Sequence, residues 1–164
     1  MAVSSMLKSF LTKHKVKYKS QKHPTAYTAQ EIAAAEHVPG RQLAKCVLVK
    51  TDKGAVLAVL PAIHLIDLAK LRRILRAKKL SLTIEADIKR TFPDVEVGAM
   101  SAFGNLYHVP VIVDKALAVC EEIVCNAGTH TETMRLRYRD FEEVVKPKVG
   151  IFGLHVAKAR KGKK

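Results

Sequence analysis

The stretch LAKCVLVKTDKGAVLAVLPA, residues 43–62, predicts the element around which the fold is built. Two runs rich in Val, Leu and Ala flank a short polar segment that ends in glycine. This pattern is typical of two antiparallel strands joined by a tight turn. We therefore expect a hairpin with strands at 43–50 and 55–60 and its turn at 51–54.

Lys45 interrupts the first of these runs. Because residues two apart on a strand share a face, Lys45 points the same way as Val47 and Val49, which are typical inward residues. Its stem could lie along the sheet while the ammonium reaches water, as in many strand lysines. Alternatively, a lysine beside the core could bind an anionic ligand, and the sequence pattern alone leaves both roles open.

Periodicity along the rest of the chain predicts helices and strands in mixed order. Apolar residues at helical or alternating spacing, with capping residues and Pro or Gly at the ends, define the elements. The fold class is therefore α+β (mixed α/β), with one domain over 1–150 and a basic tail over 151–164. The predicted helices lie at 3–13, 28–38, 66–79, 83–91 and 140–147, and the strands outside the hairpin at 16–21, 109–113, 120–128 and 131–139.

Composition limits the classes of protein. The chain has 164 residues, 48% of them hydrophobic, and no run as long as a membrane span or arranged like a signal peptide. Its three cysteines form no CxxC pair, which favours a reducing compartment, and we expect a cytoplasmic protein. No phosphate-binding loop, HExxH or G-x-S-x-G motif and no metal-ligand spacing occur, so we expect no metal and no cofactor.

Positive charge is the strongest global signal, with a formal net charge of +14. Clustered Lys and Arg are typical of proteins that contact phosphates, although a basic surface can also be merely solvated. The absence of Trp argues against a platform that stacks bases. Three clusters stand out: the lysines of the first thirty residues, a group from Lys70 to Lys79 that includes Arg72, Arg73 and Arg76, and the tail AKARKGKK.

Two segments of small residues are candidates for a site. In GAMSAFG, residues 98–104, the small side chains allow successive backbone N–H groups to turn toward an anion or a developing oxyanion. In NAGTHTETMRL, residues 126–136, His130 lies in a turn that enters a strand. Glycine loops are common and a loop histidine is usually only exposed, so each signal depends on the fold bringing them together.

The order of these segments resembles the YbaK/prolyl-tRNA-synthetase-associated editing family over roughly residues 20–147. The resemblance is carried by TAQEIAAAEHVPGRQLAKCVLVK, by GAMSAFG with VPVIVD, and by NAGTHTETMRL with DFEEVVKP. It implies a barrel-like mixed sheet flanked by helices and an aminoacyl-tRNA deacylase that hydrolyses mischarged tRNA in trans. The implied substrate is a small amino acid such as alanine, on tRNA(Pro). The implied partners are aminoacyl-tRNA and an aminoacyl-tRNA synthetase, with no DNA, membrane or cofactor.

The resemblance also implies roles for individual residues. Two positions depart from the family pattern: Ala102 stands where Pro is common, and Cys46 where the alanine-clearing subgroup has Asn. Other interpretations are a non-catalytic tRNA-binding or RNA-binding module and a hydrolase of small free esters. The implied catalytic residues are Lys45, Gly98, Ala99, Met100, Ser101, Ala102 and His130, and the implied substrate-binding residue is Gly128. The charge clusters, and not the resemblance, add Arg72, Arg73 and Arg76 as residues expected to bind the acceptor stem.

Overall fold

A computed structural model describes residues 5–24, 34 and 39–155. The helix predicted at 28–38 lies almost wholly outside these residues. The helices are α1 (Ser5–Lys13), α2 (Leu68–Ile74), α3 (Glu85–Thr91), α4 (Lys115–Ala118) and α5 (Tyr138–Val145). The strands are β1 (Lys19–Lys22), β2 (Ala44–Thr51), β3 (Gly54–Pro61), β4 (His64–Ile66), β5 (Leu80–Leu82), β6 (Val111–Asp114), β7 (Glu122–Asn126), β8 (Glu132–Arg137), β9 (Lys148–Gly150) and β10 (Gly153–His155).

The predicted hairpin is confirmed and forms the middle of a five-stranded sheet. Strands β2 and β3 pair antiparallel from Ala44–Pro61 to Thr51–Gly54, so the apolar runs and the turn lie where the sequence predicts them. The sheet has the order β5-β2-β3-β6-β9, and β6 is parallel to both of its neighbours. A second sheet has the order β1-β8-β7, and β4 pairs with β10.

The α+β class is confirmed, but the sheet does not close into a barrel. Among the described residues, the five-stranded and three-stranded sheets are joined only by an isolated bridge between Leu43 and Val124. The two sheets instead pack face to face, because each carries an apolar side that must be buried.

The main core lies between the two sheets. The face of β2 that carries Ala44, Cys46 and Leu48, here called the Cys46 face, packs against the apolar side of β7 and β8 and against α1 and α5. The opposite face, here called the Lys45 face, carries Val47 and Val49. It packs against a smaller cluster that includes the buried side chains of Leu60, Leu71, Ile112 and Phe152.

Helix α2 is shorter than the predicted helix over 66–79. It ends at Ile74, because Arg76 adopts the left-handed conformation with φ +54°. The Ala77 N–H then donates to Arg72 O at 3.0 Å, which closes the end of the helix. The chain turns back from there and forms β5 beside β2.

The predicted boundary at residue 150 falls inside the fold. Strand β10 pairs with β4, and Phe152 is completely buried. The buried Asp114 carboxylate holds this segment, since its Oδ1 accepts hydrogen bonds from the N–H groups of Phe152 and Gly153, both at 2.9 Å. Residues 151–155 therefore belong to the domain, and the remaining tail lies outside the described residues.

Candidate functional site

The loop 98–104 is fixed to the core at its C-terminal end. Phe103 is buried, and its ring centroid lies 5.3 Å from that of Phe141 and 6.0 Å from that of Phe10. At Gly104 a Cβ would come within 2.9 Å of Val109 O, so only glycine fits this close approach. These contacts hold the loop against the Cys46 face of the sheet.

The structure brings the loop 98–104 and the turn around His130 together. The Gly128 N–H donates to Ala99 O at 3.1 Å, and the His130 ring nitrogen Nε2 lies 2.9 Å from Val97 O. Gly98 has φ +86°, a conformation that favours glycine, and its Cα faces the imidazole. Two segments that are thirty residues apart in sequence therefore form one site.

Glu96 connects the two segments, although no motif of the sequence singles it out. Its carboxylate Oε1 accepts a hydrogen bond from the His130 N–H at 2.6 Å. Its own N–H donates to Gly128 O, and its carbonyl accepts from the Ala99 N–H, both at 2.9 Å. Its position two residues before Gly98 is the only sequence signal that could have suggested a role.

The backbone amides of the loop differ in what they can offer a ligand. The Ala99 N–H is engaged by Glu96 O, and the Ala102 N–H lies against the Cys125 sulfur. Of the four amides of residues 99–102, two are therefore already used inside the protein. Among the described residues, no acceptor engages the N–H groups of Met100 and Ser101, which are the remaining two candidates.

The hydrogen bond to Val97 O selects the tautomer of His130. A carbonyl oxygen can only accept, so the imidazole Nε2 carries the hydrogen. In the neutral ring, Nδ1 is then the acceptor nitrogen. The side chain is partly exposed, and its ring packs beside Gly98, which suits a group that orients a substrate.

Lys45 lies on the other face of β2. Its ammonium Nζ donates to His64 O at 2.5 Å, and burial lowers its pKa from the usual value. The expected grouping with Val47 and Val49 is confirmed, but no described contact joins Lys45 to the loop or to His130. Its contact with substrate therefore stays a prediction, and the structure adds a structural role for its side chain.

The thiols and the loop serine are poorly placed as nucleophiles. Burial raises the pKa of Cys46 well above its usual value, and it raises the pKa of Cys125 to about 12. Burial raises the pKa of Cys120 as well. Ser101 is buried, and its Oγ accepts a hydrogen bond from the Phe103 N–H at 3.3 Å, so its hydroxyl turns back into its own loop.

The predicted substrate-binding arginines lie on the exposed side of α2 and just beyond its end. Leu71 packs against the Lys45 face, whereas Arg72, Arg73 and Arg76 are exposed. The Arg72 guanidinium donates to Ala77 O at 3.3 Å and so helps to close the helix. These side chains and the loop 98–104 are therefore on opposite sides of the five-stranded sheet.

Within the part of the chain that the structure describes, no group of three His, Cys, Asp or Glu side chains is placed to hold a metal ion. In the same residues, no helix combines the length and apolarity needed to cross a bilayer.

Comparisons with known proteins show the fold and the family of the chain. A curated proline–tRNA ligase from Thiobacillus denitrificans is 29% identical over 106 residues, which is 64% of this chain but only 18% of the ligase. A solved structure described as a candidate trans-editing enzyme for prolyl-tRNA synthetase matches with a TM-score of 0.79 at 19% identity, covering 90% of this chain and 94% of the other.

A solved structure of a hypothetical protein matches with a TM-score of 0.83 at 13% identity, covering 91% of this chain and 99% of the other. At these identities the two structures show the fold alone. The family model of the aminoacyl-tRNA editing domain matches residues 23–144, which is well over half of the sequence. The chain therefore belongs to the aminoacyl-tRNA editing domain family.

Proposed function

We propose that the protein is an aminoacyl-tRNA deacylase that hydrolyses the ester between a small amino acid and the 3′ end of a mischarged tRNA. The observation that carries this proposal is the joining of the loop 98–104 to the turn around His130, where no acceptor among the described residues engages the N–H groups of Met100 and Ser101. The ligase relative supports tRNA(Pro) as the RNA, and alanine is the amino acid that the family resemblance implies.

The chemistry requires water at the carbonyl carbon and stabilisation of the resulting oxyanion. The N–H groups of Met100 and Ser101 would donate to that oxyanion, because fixed backbone donors stabilise developing charge without reorganisation. His130 would orient the amino group of the substrate or the attacking water through Nδ1. Lys45, whose ammonium lies on the other face of β2, would hold the terminal phosphate rather than the carbonyl oxygen. No side chain of the site is a strong base, so attack assisted by the substrate's own groups fits best.

A panel of substrates tests the proposal. The purified protein is incubated with tRNAs charged with alanine, serine, cysteine and proline, and with free amino-acid esters. We expect the fastest hydrolysis for alanyl-tRNA(Pro) and little for free esters. The basic surfaces contribute to substrate binding only when the ester is attached to RNA. Binding without hydrolysis of any ester would instead indicate a non-catalytic RNA-binding module, and equal hydrolysis of free esters would indicate a general esterase.

Direct attack by water predicts that no thiol is required. A variant with Cys46, Cys120 and Cys125 all changed to Ala should keep most of the activity per folded molecule, because the raised pKa values keep these thiols protonated at neutral pH. Alkylation with iodoacetamide should likewise leave the native protein active. Acid quench followed by mass spectrometry checks this, since an acyl group trapped on a cysteine or on Ser101 would contradict the water mechanism.

The exposed arginines of α2 are proposed to attract the acceptor stem. Changing Arg72, Arg73 and Arg76 to Gln should flatten the salt dependence of tRNA binding by roughly one unit for each phosphate that the variant no longer neutralises. The measurement is the dissociation constant of tRNA(Pro) across a salt series. The same slope for the variant and the wild type would identify these arginines as solvated surface.

A further inference from the structure

Two adjoining grooves run along β1 and β8, beside the candidate site. One groove, of about 270 Å³, is lined by residues that include Lys17, Lys19, Arg135 and Arg137. The other, of about 180 Å³, shares Lys19 and Arg135 with it and continues to Gln21. The two grooves share these side chains and lie next to each other, and together they are here called the basic trough.

The register of the strands shows where the trough leads. Lys19 pairs with Arg135, Gln21 with Thr133 and Lys22 with Glu132, so each step along β1 approaches the turn that carries His130. The chain is fastened there by the His23 N–H, which donates to Thr131 O at 2.8 Å. At about 3.4 Å per residue, the distance from Arg137 to this turn is about 20 Å.

The trough carries a net positive charge, and its cations can bind an anionic ligand. Among the described residues, Lys17 and Lys19 have no ion-pair partner, and both side chains are exposed. Arg135 pairs with Glu122 at 3.4 Å in a partly exposed geometry, where an ion pair contributes little and an incoming phosphate can replace the carboxylate. Arg137 pairs with Asp140 at 3.1 Å, so four cations face two carboxylates.

We propose that the basic trough binds the backbone phosphates of the single-stranded 3′ end of an RNA and guides its terminal ester to the site at His130. This inference rests on the proposed function and names a surface for it. A positively charged groove is the usual means of following a single strand without reading its sequence. Lysines on an edge strand can also serve only to prevent edge-to-edge pairing. In that case their removal would not change the salt slope of RNA binding.

The test compares two variants of the full chain that remove the same charge. In the first, Lys17 and Lys19 are changed to Gln. In the control, Lys53 in the β2–β3 turn and Lys115 at the start of α4 are changed to Gln, since both are exposed and line neither groove. The probe is an RNA minihelix with a single-stranded 3′ end that carries no amino acid. Its binding is measured by fluorescence anisotropy across a salt series.

We expect the Lys17→Gln/Lys19→Gln variant to lose about 1.4 units of salt slope, because each phosphate contact to a single strand contributes about 0.7. The control should keep the wild-type slope. Equal salt slopes of RNA binding for the two variants would overturn the proposal, whether or not the Lys17→Gln/Lys19→Gln variant aggregates. Because the probe carries no ester, the result is independent of hydrolysis; failure of the proposed function would appear separately, as a wild type that hydrolyses no charged tRNA.

Discussion

The Gly98→Ala variant is expected to lower kcat for ester hydrolysis by about a hundredfold, the effect of displacing one oxyanion donor. Gly98 has φ +86°, where a side chain costs about 1–2 kcal/mol, and an added Cβ would lie 3.6 Å from His130 Cε1. Relief of this strain moves the start of the loop, and the amides of Met100 and Ser101 move with it. Single-turnover kinetics on alanyl-tRNA(Pro) measure the effect.

Gly54→Ala is the matched control. Gly54 also has a positive φ, +119°, but it lies in the β2–β3 turn, and no atom is within 4 Å of the position of its added Cβ. The control should lose stability through backbone strain while its kcat per folded molecule stays that of the wild type. If Gly98→Ala instead kept the wild-type kcat, the loop would not supply the oxyanion donors.

Lys45→Ala is expected to lower activity per folded molecule by at least about a hundredfold, if the ammonium holds a substrate charge in the transition state. The structure adds a second effect, because the variant loses the hydrogen bond from Lys45 Nζ to His64 O. Losing a hydrogen bond from a charged group costs about 1–3 kcal/mol, so the melting temperature should fall as well. Kinetics normalised to the folded fraction separate the two effects.

Lys50→Ala serves as the comparison for Lys45. It lies on the same strand, but its side chain is 62% exposed and pairs only weakly with Asp87, at 3.8 Å. We expect little change in either stability or activity for this variant. A Lys45→Ala protein that melts earlier but keeps its full activity per folded molecule would limit Lys45 to the structural role.

The hairpin could be predicted from the sequence because its information is local. Apolar runs of strand length and the segment ending in Gly54 specify both strands and the turn, and strand alternation correctly groups Lys45 with Val47. The end of α2 at Ile74 could not be predicted in this way. It depends on Arg76 taking a left-handed conformation so that the chain can return and pair with β2.

The assembly of the site depends on contacts between distant segments. Glu96 and His130 are 34 residues apart, and the hydrogen bond between them exists only because the two loops pack on the same face of the sheet. The sequence also carries no signal for which face the loop covers. Strand alternation separates Cys46 from Lys45, but only the structure shows that the loop lies on the Cys46 face.

Multiple-turnover release of alanine from alanyl-tRNA(Pro), with the substrate in large excess over the protein, decides whether the protein is a deacylase. We expect the wild type to release alanine over many turnovers, Gly54→Ala to do so at the wild-type rate per folded molecule, and Gly98→Ala to be about a hundredfold slower. No release above the uncatalysed rate by a folded wild-type protein that binds tRNA would contradict the proposed function.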